Sequence, residues 1–252
     1  MQSVKFIEID NLKVAYRVDG SGSKVVLLHG WGAESGTFQK VFDTLSTSHQ
    51  VYTIDLPGFG LSEIPTSPWD ATDYAKLLSK FLEKLNIGIV SLIGHSYGGR
   101  ISIVIAAEEP DKIDKVILVN SAGIKPKRTV KYHFKYCLGK LGRFTRKFGS
   151  LGNYLADNIA NKIGSRDYKE AGPMRDTMVK SVNQDLRPYL CKIRHKTLLI
   201  WGENDKDTPV SSAKIMEKEI PKVELILLKD AGHFSYLDQT EKFIEIVRNF
   251  LE

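Results

Sequence analysis

The sequence predicts an α/β protein with a mostly parallel sheet flanked by helices, and three observations predict it. Short apolar runs of strand length alternate with longer stretches whose apolar residues recur at helical spacing. Helices placed between short strands imply a parallel sheet covered on both faces. The residues best suited to chemistry all fall just past the ends of strand-like runs, where ligands bind in such sheets. The chain has 252 residues, which fits one domain with one insertion and is enough to bury a full core.

The elements follow in order. Residues 4–9 and 12–18 read as a hairpin joined through Asp10 and Asn11, residue types that favour turns. After it come a strand at 24–28, a helix near 37–45, a strand at 50–54 and a helix at 71–85. The apolar run 89–93 is the next strand, and the helix at 97–108 carries Ile101, Val104 and Ile105 at helical spacing. A strand at 115–119 closes this first series. The last part repeats the pattern with a strand at 197–201, a helix at 210–220, a strand at 223–228 and a helix at 240–251.

Between Ser121 and Arg194 the alternation breaks. Lys125, Lys127, Arg128, Lys131, Lys135, Lys140, Arg143, Arg146 and Lys147 all precede the first acidic residue of the segment, Asp157. Val130, Phe134, Cys137, Leu138, Leu141, Phe144, Phe148 and Leu151 recur at helical spacing and make an apolar stripe. In the plain account the stripe packs on the core and the cations form a solvated face. In the sharper one the cations recruit something acidic: a carboxylate substrate, an acyl-carrier protein or an anionic membrane surface.

Gly94-His95-Ser96-Tyr97-Gly98 lies between the strand at 89–93 and the helix at 97–108. That is G-x-S-x-G at a strand-to-helix junction, a turn that exposes a serine as a nucleophile. Glycine suits both ends because a Cβ there would collide with neighbouring backbone. A serine hydroxyl attacks nothing until a base takes its proton. Of six histidines, His233 is singled out because Asp230-Ala231-Gly232-His233-Phe234 follows the apolar run 223–228. His29 lies in a glycine-rich turn and His95 within the G-x-S-x-G itself, while His49, His133 and His195 have polar or basic surroundings. The base needs an acid to fix its tautomer, and Glu203, Asp205 and Asp207 compete for that role after the strand at 197–201.

At this point the chain resembles the α/β-hydrolase family over nearly its whole length. Members often read W-G-x-x-D-x-x-x-P where this chain has Trp201-Gly202-Glu203-Asn204-Asp205-Lys206-Asp207-Thr208-Pro209, and the match selects Asp205. Spacing alone leaves Asp207 open. The family's other site for the acid, after the sixth strand, holds Asn120, an amide that cannot be anionic. Ser96, Asp205 and His233 then stand in the family's chain order as a catalytic triad. The backbone N–H of Tyr97, at the start of a helix, is one donor for an oxyanion. His29-Gly30-Trp31-Gly32 resembles the family's H-G-x-G turn, which implies that the Trp31 N–H is the second. Asp55-Leu56-Pro57-Gly58-Phe59-Gly60-Leu61-Ser62 matches a further family segment and reads as structural, fixing the exit of the fourth strand.

The resemblance implies a mostly parallel eight-stranded sheet, with a core of residues 1–120 and 195–252 and a helical cap, or lid, inserted at 121–194 after the sixth strand. It implies a serine carboxylesterase acting on an ester or thioester through an acyl-enzyme. Dehalogenases and epoxide hydrolases of the family use an aspartate nucleophile, where this chain has Ser96. Its C–C hydrolases usually continue the oxyanion turn with Pro-Gly-Ala, where this chain has Trp31-Gly32-Ala33. The turn and the Asp55 segment are similar to those of esterases that cleave methyl esters from acyl-carrier proteins. Ser96-Tyr97-Gly98-Gly99-Arg100 resembles a menaquinone-pathway lyase, so a lyase or C–C hydrolase with the same triad is the alternative. A hydrolase-like receptor or scaffold often lacks a catalytic residue, and none is missing here.

The remaining features exclude classes. The net charge of +6 and pI near 9.1 arise largely in the 121–194 segment. With no zinc-finger spacing and no helix-turn-helix signal, no nucleic-acid partner is expected. Cys137 and Cys191 form no C-x-x-C and are too few for a disulfide framework, which suits a reducing cytoplasm. The first eight residues hold no long apolar run, and no stretch is long enough to span a bilayer. No H-E-x-x-H or P-loop is present, so neither metal nor cofactor is expected. The expected partner is a small-molecule ester, anionic or carried on an acidic protein.

Overall fold

The computed structural model describes residues 3–125 and 170–252, together with Gly149 and Tyr154. Strands β1 (Lys5–Ile9) and β2 (Leu12–Asp19) pair antiparallel, with Ile9 opposite Leu12. Asp10 and Asn11 turn the hairpin at φ of 51° and 61°. Positive φ at both central residues matches the twist of the flanking strands, and Asp and Asn tolerate it.

Six further strands follow: β3 (Lys24–Leu28), β4 (Gln50–Ile54), β5 (Val90–His95), β6 (Ile113–Val119), β7 (Lys196–Gly202) and β8 (Val223–Leu228). The eight-stranded sheet runs β1-β2-β4-β3-β5-β6-β7-β8. β2 joins β4 antiparallel, and every later pairing is parallel. From β3 the chain steps outward to β4 on one side, then returns to place β5 on the other. The carboxyl ends of β3 and β5 therefore flank a topological switch point, the crevice where open α/β sheets bind ligands.

Each inner strand serves two cores. Val26 and Leu28 of β3 point to one, Val25 and Leu27 to the other, and Leu199 and Trp201 of β7 divide likewise from Leu198 and Ile200. This is why the inner strands are apolar without alternation. One core packs helices α2 (Ala71–Lys84) and α3 (Tyr97–Glu108), and the opposite core packs α1 (Gln39–Leu45). Asp70 starts α2 with a reciprocal capping box: it accepts from the helix amides while the Asp73 carboxylate takes the Asp70 amide.

In the segment expected to be a cap, the described residues form α4 (Arg175–Asn183) and α5 (Arg187–Leu190). The cationic run from Lys127 to Lys147, the apolar stripe from Val130 to Leu151, and His133 and Cys137 lie outside the described residues. Lys125 is described, and its Nζ donates to the Asn183 carbonyl at 2.9 Å. Beyond β7 come α6 (Val210–Glu219), α7 (Ser235–Asp238) and α8 (Thr240–Leu251). The expected helix near residue 37 begins as a 3₁₀ turn at Ser35–Phe38, where the Ser35 amide is held by Asp55 Oδ1 at 2.8 Å. α7 was not expected; one turn long, it has no periodicity to read. No helix of the described residues is long and apolar enough to cross a membrane.

Candidate active site

Ser96 lies at φ 49° and ψ −105°, between the end of β5 and the start of α3. A non-glycine residue held there costs roughly 1–3 kcal/mol, so its surroundings must impose it. Its amide donates to the Val119 carbonyl at 3.0 Å, and its carbonyl accepts from the Ala122 amide at 3.0 Å. The two flanking glycines admit this tightness. A Cβ on Gly94 would lie 2.6 Å from the Gly98 carbonyl oxygen, and one on Gly98 would lie 2.1 Å from that of Leu28.

Asp205 follows β7 and His233 follows β8. The two loops are tied together, with the Glu203 amide donating to Leu228 O and the Asn204 amide to Ala231 O. His233 Nε2 is 3.0 Å from Ser96 Oγ, and its Nδ1 is 3.0 Å from Asp205 Oδ2. A carboxylate only accepts, so Nδ1 carries the proton and donates it. Nε2 is left as the acceptor for the serine hydroxyl. Asp207, which spacing left open, is exposed; it approaches Asp205 through its backbone, its amide donating to Asp205 Oδ1 at 2.8 Å.

The Asp205 side chain is fully buried. Burial pushes its carboxyl up, but hydrogen bonds from His233, Thr208 and Asn120 outweigh that and hold it down at about 2. The Thr208 hydroxyl and the Asn120 amide each lie 2.6 Å from Oδ2. Asn120 also donates to the Gly232 carbonyl and accepts from the Ser235 hydroxyl, so one amide ties together the ends of β6, β7 and β8.

Two other histidines stand beneath the site and are neutral. His29 Nε2 accepts from the Leu56 amide at 2.9 Å, so its Nδ1 donates to the Gly30 carbonyl. Burial lowers its pKa to about 4. His95 donates from Nε2 to the His233 carbonyl at 2.9 Å. Burial, the largest cause, lowers the His95 pKa to about 3. Asp55 is structural, as expected: its carboxylate holds the Ser35 and Leu61 amides, and its carbonyl accepts from Ser62.

Above Ser96 and His233 opens a cavity of about 290 Å³. Trp31 and Tyr97 line it from the body, their rings edge to face at 5.3 Å, and Met178, Ser181 and Val182 line it from α4. A larger hollow of about 460 Å³ beside α2, lined by Asp10, Lys76 and Glu83 among others, contains none of the three bonded residues. Ligand atoms of Asp205, Asp207 and His233 lie within 4.8 Å of one another. There, Asp205 Oδ2 and His233 Nδ1 are bonded to each other.

The structure thus brings together Ser96, Asp205 and His233, with Trp31 and Tyr97 at the same cavity. Sequence reasoning missed Asn120 as a support and read it only as an excluded acid. It also missed Thr208, whose signal is a hydroxyl three residues past the carboxylate, and Arg100 and Ser181, which line the cavity.

A parallel sheet bearing a strained serine at its switch point, bonded through histidine to a buried carboxylate, defines a class. The model of the alpha/beta hydrolase fold matches residues 24–177 and 175–240, and the chain belongs to that family. Its relatives include hydrolases of differing bonds. It is 28% identical over 245 residues to the pimeloyl-[acyl-carrier protein] methyl ester esterase of Legionella pneumophila (strain Paris), covering 92% of this chain and 97% of that one. It is 26% identical over 270 residues to the 2-hydroxy-6-oxononadienedioate/2-hydroxy-6-oxononatrienedioate hydrolase of Escherichia coli (strain K12), covering 95% and 91%. Among solved structures it matches a membrane phospholipase A, a bacterial virulence factor, with a TM-score of 0.80 and 24% identity over 99% of this chain and 86% of that one. At that identity the likeness is one of fold.

Proposed function

We propose that the protein is a serine hydrolase that cleaves a carboxylic ester or thioester through an acyl-enzyme. The observation that carries this is the continuous bonded chain from Ser96 Oγ through His233 to Asp205 Oδ2. Ser96 Oγ attacks the carbonyl carbon as His233 Nε2 takes its proton. Asp205, anionic and fully buried, stabilises the imidazolium across Nδ1–H. The amides of Trp31 and Tyr97 receive the oxyanion. His233 then returns the proton to the leaving alkoxide or thiolate, and water repeats the sequence on the acyl-enzyme.

Residues 121–194 serve as the lid, a reading supported by the part of α4 that lines the cavity. Its cations recruit an acidic carrier, which the substrate named for the Legionella relative supports. The E. coli relative favours a second reading, hydrolysis of a C–C bond by the same triad. Labelling with a fluorophosphonate, followed by peptide mapping, tests the nucleophile, and turnover of p-nitrophenyl acetate tests the bond. Modification at Ser96 with ester turnover is expected. Ester turnover without labelling of Ser96 would overturn the reading, and labelling with turnover only of a ring-cleavage diketone would move it to the C–C bond.

A further inference from the structure

Arg100 sits in the first turn of α3, four residues past Ser96, and lines the same cavity. Its side chain is buried, with 5% of the residue exposed. Its Nη2 donates to two main-chain carbonyls at the end of α4, Ser181 at 2.5 Å and Gln184 at 2.6 Å. Its Nε has no acceptor. Among the described residues no carboxylate pairs with it. Asp70 and Asp185 act on it only across space, and Asp70 is engaged in capping α2.

A buried cation held only by neutral groups is expensive. Binding the end of α4 accounts for Nη2, because cations favour helix carboxyl ends, but it leaves the charge uncompensated. A carboxylate entering the cavity would compensate it. Asp207, which lines the cavity beside His233, is exposed and screened by solvent.

We infer that the cavity takes esters bearing a second, anionic group, a carboxylate, and that Arg100 selects them. This rests on the hydrolase reading and adds a substrate class to it.

The test compares isosteric pairs on the wild-type protein. Monomethyl adipate is set against methyl hexanoate for a carboxylate on the acyl side, and 4-acetoxybutanoate against butyl acetate for one on the alcohol side. The anionic member of one pair should have kcat/KM roughly 10- to 100-fold higher, the range of a charged hydrogen bond. Arg100→Met should abolish that ratio and Arg100→Lys restore part of it. Because Arg100→Met also removes the bonds to α4, the wild-type ratios decide first. Equal use of both members in both pairs overturns the inference and leaves the hydrolase standing. If no ester turns over and Ser96 stays unlabelled, the hydrolase reading falls, and binding judges the anion site alone. Adipate should then raise the Tm of the wild-type protein where hexanol does not, and the absence of such a shift overturns it.

Discussion

The ends of the strands and the α4 wall face each other across the cavity and are built on opposite principles. At the strand ends the buried carboxylate and its supports are held by several partners at once. Asp205 Oδ2 is met by His233, Asn120 and Thr208, and Asn120 is in turn fixed by Gly232 and Ser235. The α4 wall turns Met178 and Val182 toward the cavity, and Val182 remains 52% exposed. Three of its polar ties run away from the chemistry, Thr177 to the Trp69 amide, Gln184 to the start of α2 and Lys180 to Asp73, while Ser181 turns inward to Tyr97 and Arg100. On the proposed mechanism, substitutions on the two sides should leave different kinetic marks.

The largest mark is expected at Ser96. Ser96→Ala should lower kcat by roughly 10⁴- to 10⁶-fold, and His233→Ala comparably. Because the residues act as a unit, the double variant should be little worse than either single one. Burst and steady-state kinetics on one activated ester check this, and full additivity would separate the two residues.

Next comes the carboxylate. Asp205→Asn should lower kcat by roughly 10⁴-fold with the fold intact by circular dichroism, while Asp207→Asn stays within a few-fold of wild type. The reverse ranking would move the acid to Asp207.

Acid should weaken the strand-end side through its buried neutral histidines. The folded pKa of His29, about 4, lies below the ordinary 6.5, and that of His95, about 3, lies lower still. Between those values and 6.5 the unfolded chain binds more protons. Stability is therefore full above pH 6.5 and falls as the pH drops toward 4, by on the order of 3 kcal/mol for His29 alone. Urea midpoints at pH 7, 5.5 and 4 measure this, and His29→Gln should flatten the slope. A midpoint unchanged from pH 7 to 4 would show that these rings are not held neutral.

The smallest effect belongs to the wall. Val182→Ala removes apolar surface met equally by substrate and transition state, so KM should rise about two- to fivefold at constant kcat. A fall in kcat instead would show that α4 takes part in the chemical step.

The same division governs what could be read from the sequence. The strand-end loops are short, follow apolar runs directly and carry residue types with narrow uses. Ser96 and His233 therefore stand out as candidates from position and residue type, whereas Asp205 is separated from Asp207 only by the family resemblance, and the structure brings the three together. Strand ends shifted by one or two residues, as β5 did by running on to His95, because apolar runs fade gradually. The supports were illegible for a different reason. Asn120 reaches Asp205 across 85 residues of chain, and Arg100 meets Ser181 across 81. No local spacing encodes such pairings. Short helices such as α5 and α7 form from tertiary packing rather than from a periodic stripe.

On the proposed mechanism, the backbone at Ser96 sets turnover against how firmly the chain holds together. Serine occupies a conformation there that glycine adopts with no side-chain clash. Replacing Ser96 by glycine would relieve the strain and delete the hydroxyl in one step, giving a chain that is sturdier and inert. Variants screened for heat resistance alone would drift toward that residue, and only a demand for turnover would keep serine in place.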